Sequence, residues 1–232
     1  MNNQREPDNR VSHQPAFVLH TYPWKETSLI VEVLTRDYGR LSLVAKGAKR
    51  PMSQYRGMLC PFCPLAVSFS GKGDIKTLTK CEWHGTLMLP DTVLMSAFYM
   101  NEILVRLLPK REPVPKLFHS YFTTLRNLAD NNKPHVSLRF FELDLLETLG
   151  YGVPEPREGT NYQFVRGDWI QSAQTPESTG VAWYTLAAMR ERRIQEGAQE
   201  KEVKGIIRDV ISFYLDDKPV NTRKILSELK KF

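Results

Sequence analysis

Nine cations lie between Arg36 and Lys80, namely Arg36, Arg40, Lys46, Lys49, Arg50, Arg56, Lys72, Lys76 and Lys80, opposed only by Asp37 and Asp74. Cations at that density bind polyanions, because each one that neutralises a phosphate releases condensed counterions. Tyr22, Trp24, Tyr38 and Tyr55 precede or interrupt the run. Aromatic faces next to phosphate-binding cations accept unpaired bases of any sequence. The candidate nucleic-acid contacts are therefore Arg40, Lys46, Lys49, Arg50, Arg56, Lys72, Lys76 and Lys80, with Tyr55 as a stacking ring.

A second constellation is Cys60-Pro-Phe-Cys63 followed, after seventeen residues, by Cys81-Glu-Trp-His84. This is zinc-ribbon spacing, and it keeps a rival reading open: a zinc- or thiol-dependent binding protein centred on those four residues. In extended strands residues i and i+3 point to opposite faces, so each pair needs a bend before four ligands can converge. Pro61 and Pro64 supply one for the first pair and nothing supplies one for the second. No metal and no cofactor is expected. A thioredoxin-like use also fails, since Pro64 leads into β-type residues and not into the helix that would acidify a thiol.

Enzyme signatures are missing. There is no phosphate-binding glycine loop, no dinucleotide fingerprint and no paired metal-ligating histidines; the five histidines are scattered. Glu142, Asp144 and Glu147 fall on a helical stretch and read as a solvated face. A non-catalytic binding protein is the expectation. The charge is local: residues 1–85 hold 12 basic and 7 acidic side chains, whereas residues 86–232 hold 20 and 19. A polyanion partner is thus indicated for the N-terminal third, and a protein adaptor whose basic face meets an acidic partner is the other way to use that charge. The opening MNNQREPDNRVSHQ lacks the apolar core of a signal peptide, and no apolar run approaches the roughly 20 residues of a membrane span. With three cysteines and no disulfide framework, a cytoplasmic protein without membrane contact is expected.

The elements that must carry these residues change character along the chain. Residues 1–14 read as a flexible tail. From residue 15 to residue 85, short runs alternate with period two between turns rich in Gly, Asp and cations, predicting five strands at Ala16–His20, Ser28–Arg36, Gly39–Lys46, Leu59–Ser70 and Ile75–Trp83. Tyr22–Glu26 reads as a loop displaying two aromatics. Within the third strand, alternation puts Leu41, Leu43 and Ala45 on one face and Arg40, Ser42, Val44 and Lys46 on the other. Gly47–Gly57 has no period and reads as an exposed, mobile basic loop. Five short strands with one long loop suit an OB-type barrel, and an SH3-like barrel fits nearly as well.

After about Gly85 the period becomes helical. Pro90–Leu108, Pro115–Asn131 and Pro134–Leu149 predict three packed amphipathic helices, and Val181–Ile194, Glu202–Leu215 and Thr222–Lys231 predict three more. A hairpin across Arg166-Gly167-Asp168 is expected inside a Gly- and Pro-rich insertion near residues 151–180. The fold class is therefore α+β: an N-terminal five-stranded barrel over residues 15–85, then an all-α domain over 86–232. On the third helix Arg139 stands among Leu138, Phe140 and Phe141, an arrangement able to hold an acidic peptide with an apolar end.

The segments AFVLHTYPWKETSLIVEVLTRDYGRLSLVAKGAKR, LCPFCPLAVSFSGKGDIKTLT, SLRFFELDLLETLGYG and KPVNTRKILSEL together resemble the RecO family of bacterial recombination mediators, in order from Ala16 onward. The resemblance implies an OB domain and a helical domain that bind single- and double-stranded DNA and anneal complementary strands. It also implies that such a protein, acting with RecR, helps load RecA onto DNA covered by single-stranded-DNA-binding protein (SSB), and that it is associated with the bacterial nucleoid. In that family the acidic, Phe-ending SSB tail docks on the helical domain, and LRFFE makes Arg139, with Leu138 and Phe141, the candidate contact. Some members carry a four-cysteine zinc site after the LGY motif. Tyr151–Trp169 contains no cysteine, so that site is not expected in this chain.

Overall fold

The computed structural model describes residues 10–173 and 180–229 and divides into two compact units. The first runs through Met88 and also takes in Leu108–His119; the second comprises Leu89–Leu107 and the chain from Ser120 onward.

Strands β1 (Arg10–Trp24), β2 (Ser28–Thr35), β3 (Gly39–Ala45), β4 (Pro64–Ser70) and β5 (Ile75–Trp83) close into a barrel in the order β1-β2-β3-β5-β4. The seam that closes it is the parallel pairing of β3 with β5, Ser42 opposite Ile75 and Val44 opposite Thr77. The alternation read from β3 holds on its apolar side. Leu41, Leu43 and Ala45 join Val18, Val31 and Val33 in the barrel core. β1 is longer than its pattern suggested. Arg10, Val11 and Gln14 pair with β4, and Tyr22-Pro23-Trp24 continues the ladder with β2 where a loop was expected. Ser12, His13 and Gln14 hide the alternation, but strand pairing is made by backbone groups and tolerates them. Residues 1–9 of the expected tail lie outside the described residues. β4 begins at Pro64, since a proline can open a strand without breaking a ladder bond.

Gly39 is needed twice over. Its φ of +64° makes the β2–β3 turn, and a Cβ there would fall on the carbonyl oxygen of Glu112. Leu108–His119 therefore lies directly on the barrel: Arg111 N–H donates to Arg40 O at 2.9 Å, and Phe118 meets Phe17 with ring centroids 5.5 Å apart. A boundary placed near Gly85 leaves this covering segment out.

The helical elements are α1 (Asp91–Leu107), α2 (Pro115–Ala129), α3 (Pro134–Thr148), α4 (Trp183–Arg190), α5 (Ala198–Tyr214) and α6 (Asn221–Leu229). The expected hairpin is present as β6 (Thr160–Val165) and β7 (Asp168–Ala173). Val181–Ala182, expected to start a helix, forms β8 against β6 instead. Pro115 and Pro134 occupy helix starts, where a missing N–H is harmless. Glu102 of α1 fastens the start of α6: its carboxylate accepts from Asn221 N–H at 2.7 Å and Thr222 N–H at 2.9 Å. No helix among the described residues is long and apolar enough to cross a membrane.

Candidate nucleic-acid interface

Strand register aligns three rows across the outer face of β1, β2 and β3. Trp24 stands beside Ser28, Tyr22 beside Ile30 and Val44, and His20 beside Glu32 and Ser42. Trp24 and Tyr22 keep 41% and 42% of their surface exposed. His20 meets Tyr22 edge to face at 4.5 Å. The other half of the outer face is covered within the same unit: Phe17 and Leu34 are buried, Phe17 against Phe118.

At the Trp24 end, the chain after β3 brings cations together. Lys49 N–H donates to Thr27 O at 2.9 Å and Gly47 N–H to Ser28 Oγ at 3.4 Å, so the loop is tied to the β1–β2 turn. Further turns close through Arg50 to Gly47 O, Ser53 to Arg50 O and Arg56 to Ser53 O. The segment expected to be a mobile loop is thus a chain of hydrogen-bonded turns. Tyr55 anchors it. Its ring is 6% exposed within the barrel core and its hydroxyl donates to Leu78 O at 3.2 Å. The expected stacking role of Tyr55 has no geometric basis, because an anchor buried to that depth offers no free face. Lys46, Lys49, Arg50 and Arg56 remain exposed around it, and Lys25 joins them from the β1–β2 turn. The two turns together carry five cations and one acid, Glu26.

Arg40 does not belong with them. Its side chain is inward of the surface, donating to Glu32 Oε2 at 2.8 Å and to Leu108 O at 2.9 Å. Glu32 is itself buried and also accepts from Ser42 Oγ and from Lys110 Nζ at 3.3 Å. Burying a carboxylate requires such partners. Arg40 therefore neutralises the protein's own charge, and the polar side of β3, read as an open cationic face, is half filled by this network. The remaining cations are dispersed. Lys76 Nζ donates to Gly71 O at 2.8 Å, Lys80 pairs with Glu82 at 2.5 Å, and Lys72 sits exposed on the β4–β5 turn. Arg111, also at that turn, pairs with Asp74 at 2.9 Å. Tyr38 and Phe69 meet edge to face with ring centroids 5.5 Å apart.

Cys60 and Cys63 approach to 3.3 Å between sulfurs, while Cys81 packs against the barrel core. Burial pushes the Cys63 and Cys81 thiols up to about 11, so both are protonated at neutral pH. Among the described residues no group of three or more His, Cys, Asp or Glu is placed to hold a metal ion.

Within the helical unit, Arg139 is 4% exposed and Leu138 and Phe141 are buried. Arg139 Nε lies 2.9 Å from Glu142 Oε2, an ionic contact without an aligned hydrogen bond, and 4.0 Å from Glu200. Glu142 also accepts from Tyr99 Oη at 2.7 Å. Burial, and next the Glu142 charge, raise the Tyr99 phenol well above its usual range. The trio expected to receive a peptide end is interior scaffold. Amphipathic spacing places Arg139 on α3 correctly, but the acids that pair with it come from its own next turn and from α5.

Lys25, Lys110 and Arg111 were not anticipated. Lys25 had a local signal, since it lies in the turn between two strand patterns. Lys110 and Arg111 had none; they reach β3 from about 70 residues away, Lys110 Nζ lying 2.6 Å from Ser42 Oγ at a separation of 68.

Comparison with known proteins agrees with this architecture. The sequence profile of the family described as Recombination protein O N terminal matches residues 10–87, and that of Recombination protein O C terminal matches residues 92–162. The chain is 39% identical over 234 residues to the DNA repair protein RecO of Aromatoleum aromaticum, covering 96% of this chain and 98% of that one. It is 41% identical over 234 residues to the protein of the same name from Nitrosococcus oceani, covering 96% and 95%. With the Paraburkholderia xenovorans protein of that name it shares 43% over 237 residues, 96% and 79%. A five-stranded closed barrel, a helical unit and similarity across nearly the whole length place this chain in the RecO family.

Proposed function

We propose that this chain is a non-catalytic mediator of recombinational DNA repair, which binds single- and double-stranded DNA through its barrel and anneals complementary strands. The observation that carries the reading is the gathering of Lys25, Lys46, Lys49, Arg50 and Arg56 at one end of the barrel, tied there by backbone hydrogen bonds. Neutralising phosphates on two strands lowers their mutual repulsion, which is the barrier to pairing. Family membership supports the repair role; cooperation with RecR in loading RecA onto SSB-covered DNA is the finer part of the proposal.

Because Arg139 is buried, the proposal for an acidic, apolar-ended SSB tail turns to another surface of the helical unit. A groove between α5 and α6 is lined by Arg208, Lys218, Arg223 and Lys224 beside Pro219 and Val220, with Asp209 also on its wall; Arg208 pairs with Asp209 and Lys218 with Asp216 at the exposed surface, and Arg223 donates to Tyr99 Oη. Cations beside apolar side chains suit a carboxylate-ended apolar residue.

The test is annealing of complementary oligonucleotides with and without SSB, comparing the wild-type chain with a Lys46→Glu, Lys49→Glu, Arg50→Glu variant. Faster pairing by the wild type, lost in the variant while its fold is retained, is expected. Equal annealing by both removes this surface from the mechanism. A Lys218→Glu, Lys224→Glu variant should lose binding of a synthetic SSB-tail peptide and keep its DNA affinity.

A further inference from the structure

The basic turns account for phosphate contact and leave the aromatic column of β1 unused. Tyr22 and Trp24 follow each other at period two on one strand face, and both rings are about two-fifths exposed. Large rings with that much free surface are costly to leave in water unless something covers them. Ile30 and Val44 continue the apolar surface across the row from Tyr22. Glu32 and Ser42 end it one row further on, where Lys110 and Arg40 seal the polar network. At the other end the strip runs into Lys25 and the tied segment of Lys46, Lys49 and Arg50. An apolar, ring-bearing strip with exposed cations at one end, and at the other Arg40 and Lys110 already paired with Glu32, is a poor fit for an acidic protein surface, whose charges would meet Tyr22 and Ile30. It is a good fit for a strand whose bases are turned inward and whose phosphates run along the cationic edge.

We infer that Tyr22 and Trp24 form a base-stacking subsite that reserves this face of the barrel for unpaired nucleotides. The inference rests on the DNA-binding reading and sharpens it. The two rings stand about 6.7 Å apart along the strand, since each residue advances about 3.3 to 3.4 Å. That is about twice the 3.4 Å rise per nucleotide of a stacked duplex strand, so neighbouring bases must leave the duplex stack to use both rings. Duplex DNA offers only its phosphates to the basic turns. Once annealing is complete, the product loses the stacking contacts and keeps only the salt-sensitive ones, which favours its release.

Binding of three fluorescent probes by the full chain tests this: an unpaired oligothymidine, a duplex of the same length, and an abasic strand with the same phosphates. Trp24→Ala is expected to weaken oligothymidine binding about tenfold, and Tyr22→Ala with Trp24→Ala by more, with duplex and abasic affinities changing less than about twofold. The salt slope stays that of the wild type, and Trp24→Phe, which keeps a ring, recovers most of the loss. Equal losses on all three probes, or no loss on oligothymidine, overturn the subsite. If the wild-type chain binds none of the probes, the DNA-binding reading itself has failed. That outcome differs from a chain that binds all three equally well with and without the rings.

Discussion

Replacing Lys46, Lys49 and Arg50 with alanine should change how DNA affinity responds to salt, by an amount the structure lets one calculate. Five exposed cations surround the β1–β2 turn and the segment after β3. If each neutralises one phosphate of a single strand, log affinity should fall against log salt with a slope of about −3.5. Between 50 and 200 mM salt the wild type then loses about 130-fold in affinity. With only Lys25 and Arg56 left, the slope becomes about −1.4 and the loss about 7-fold over the same range. Folding should be unaffected, because all three side chains are exposed and surface changes of this kind stay within about 0.5 kcal/mol. Fluorescence anisotropy with a labelled unpaired strand at four salt concentrations, together with a thermal melt of each protein, gives both quantities. A variant slope equal to that of the wild type would show that phosphates are held elsewhere. A wild-type slope near zero would refute electrostatic binding altogether.

Arg40→Ala should leave the buried Glu32 carboxylate with fewer partners and lower unfolding stability by about 3 to 5 kcal/mol, read by urea denaturation. Its DNA affinity, measured where the variant is folded, should match the wild type; a large loss of binding with intact stability would return Arg40 to the interface. Arg139→Ala should cost a similar amount, about 3 to 5 kcal/mol, because Glu142 would stay fully buried beside Tyr99. SSB-tail peptide affinity should be unchanged in the folded variant, and its disappearance would contradict the scaffold role. The docking of α6 should depend on acid. Burial alone would raise Glu102, but hydrogen bonds from the Thr222 and Asn221 backbone, the Thr222 hydroxyl and Arg106 outweigh it and hold its pKa below the usual carboxylate value. A carboxylate with a lowered folded-state pKa contributes stability at neutral pH, and that contribution drains away as pH falls below its ordinary range. The protection factors of the Asn221 and Thr222 amides, taken against their intrinsic exchange rates at each pH, should therefore fall in acid for the wild type and be already low at pH 7 in Glu102→Gln. Equal protection in both proteins at pH 7 would dismiss the cap.

The amino-acid sequence carries the barrel in its period-two runs. Leu41, Leu43 and Ala45 point inward as read because a side chain's face on a strand follows from parity alone. The helical stretches, the hairpin across Arg166–Asp168 and the cationic run were legible for the same reason: each is a local pattern. Tyr55 was misjudged because an aromatic in a cationic turn has the same local context whether its ring covers a base or plugs a core. Arg139 was misjudged likewise, since periodicity locates a residue on a helix but not the charge that another helix sets beside it.

By itself, then, the sequence determined the element types, the overall charge asymmetry and the family, all of which depend on residue identity and short-range spacing. Only the tertiary structure decided which cations face outward. Arg40 lies on the polar side of β3 and Lys46 directly follows the strand's last residue; the two are chemically alike. Lys46 reaches solvent beside the tied basic turns, while Arg40 meets Glu32 and the carbonyl of Leu108, 68 residues away. A cation's availability to phosphate is set by its nearest counter-charge, and in a folded chain that neighbour is chosen by long-range packing.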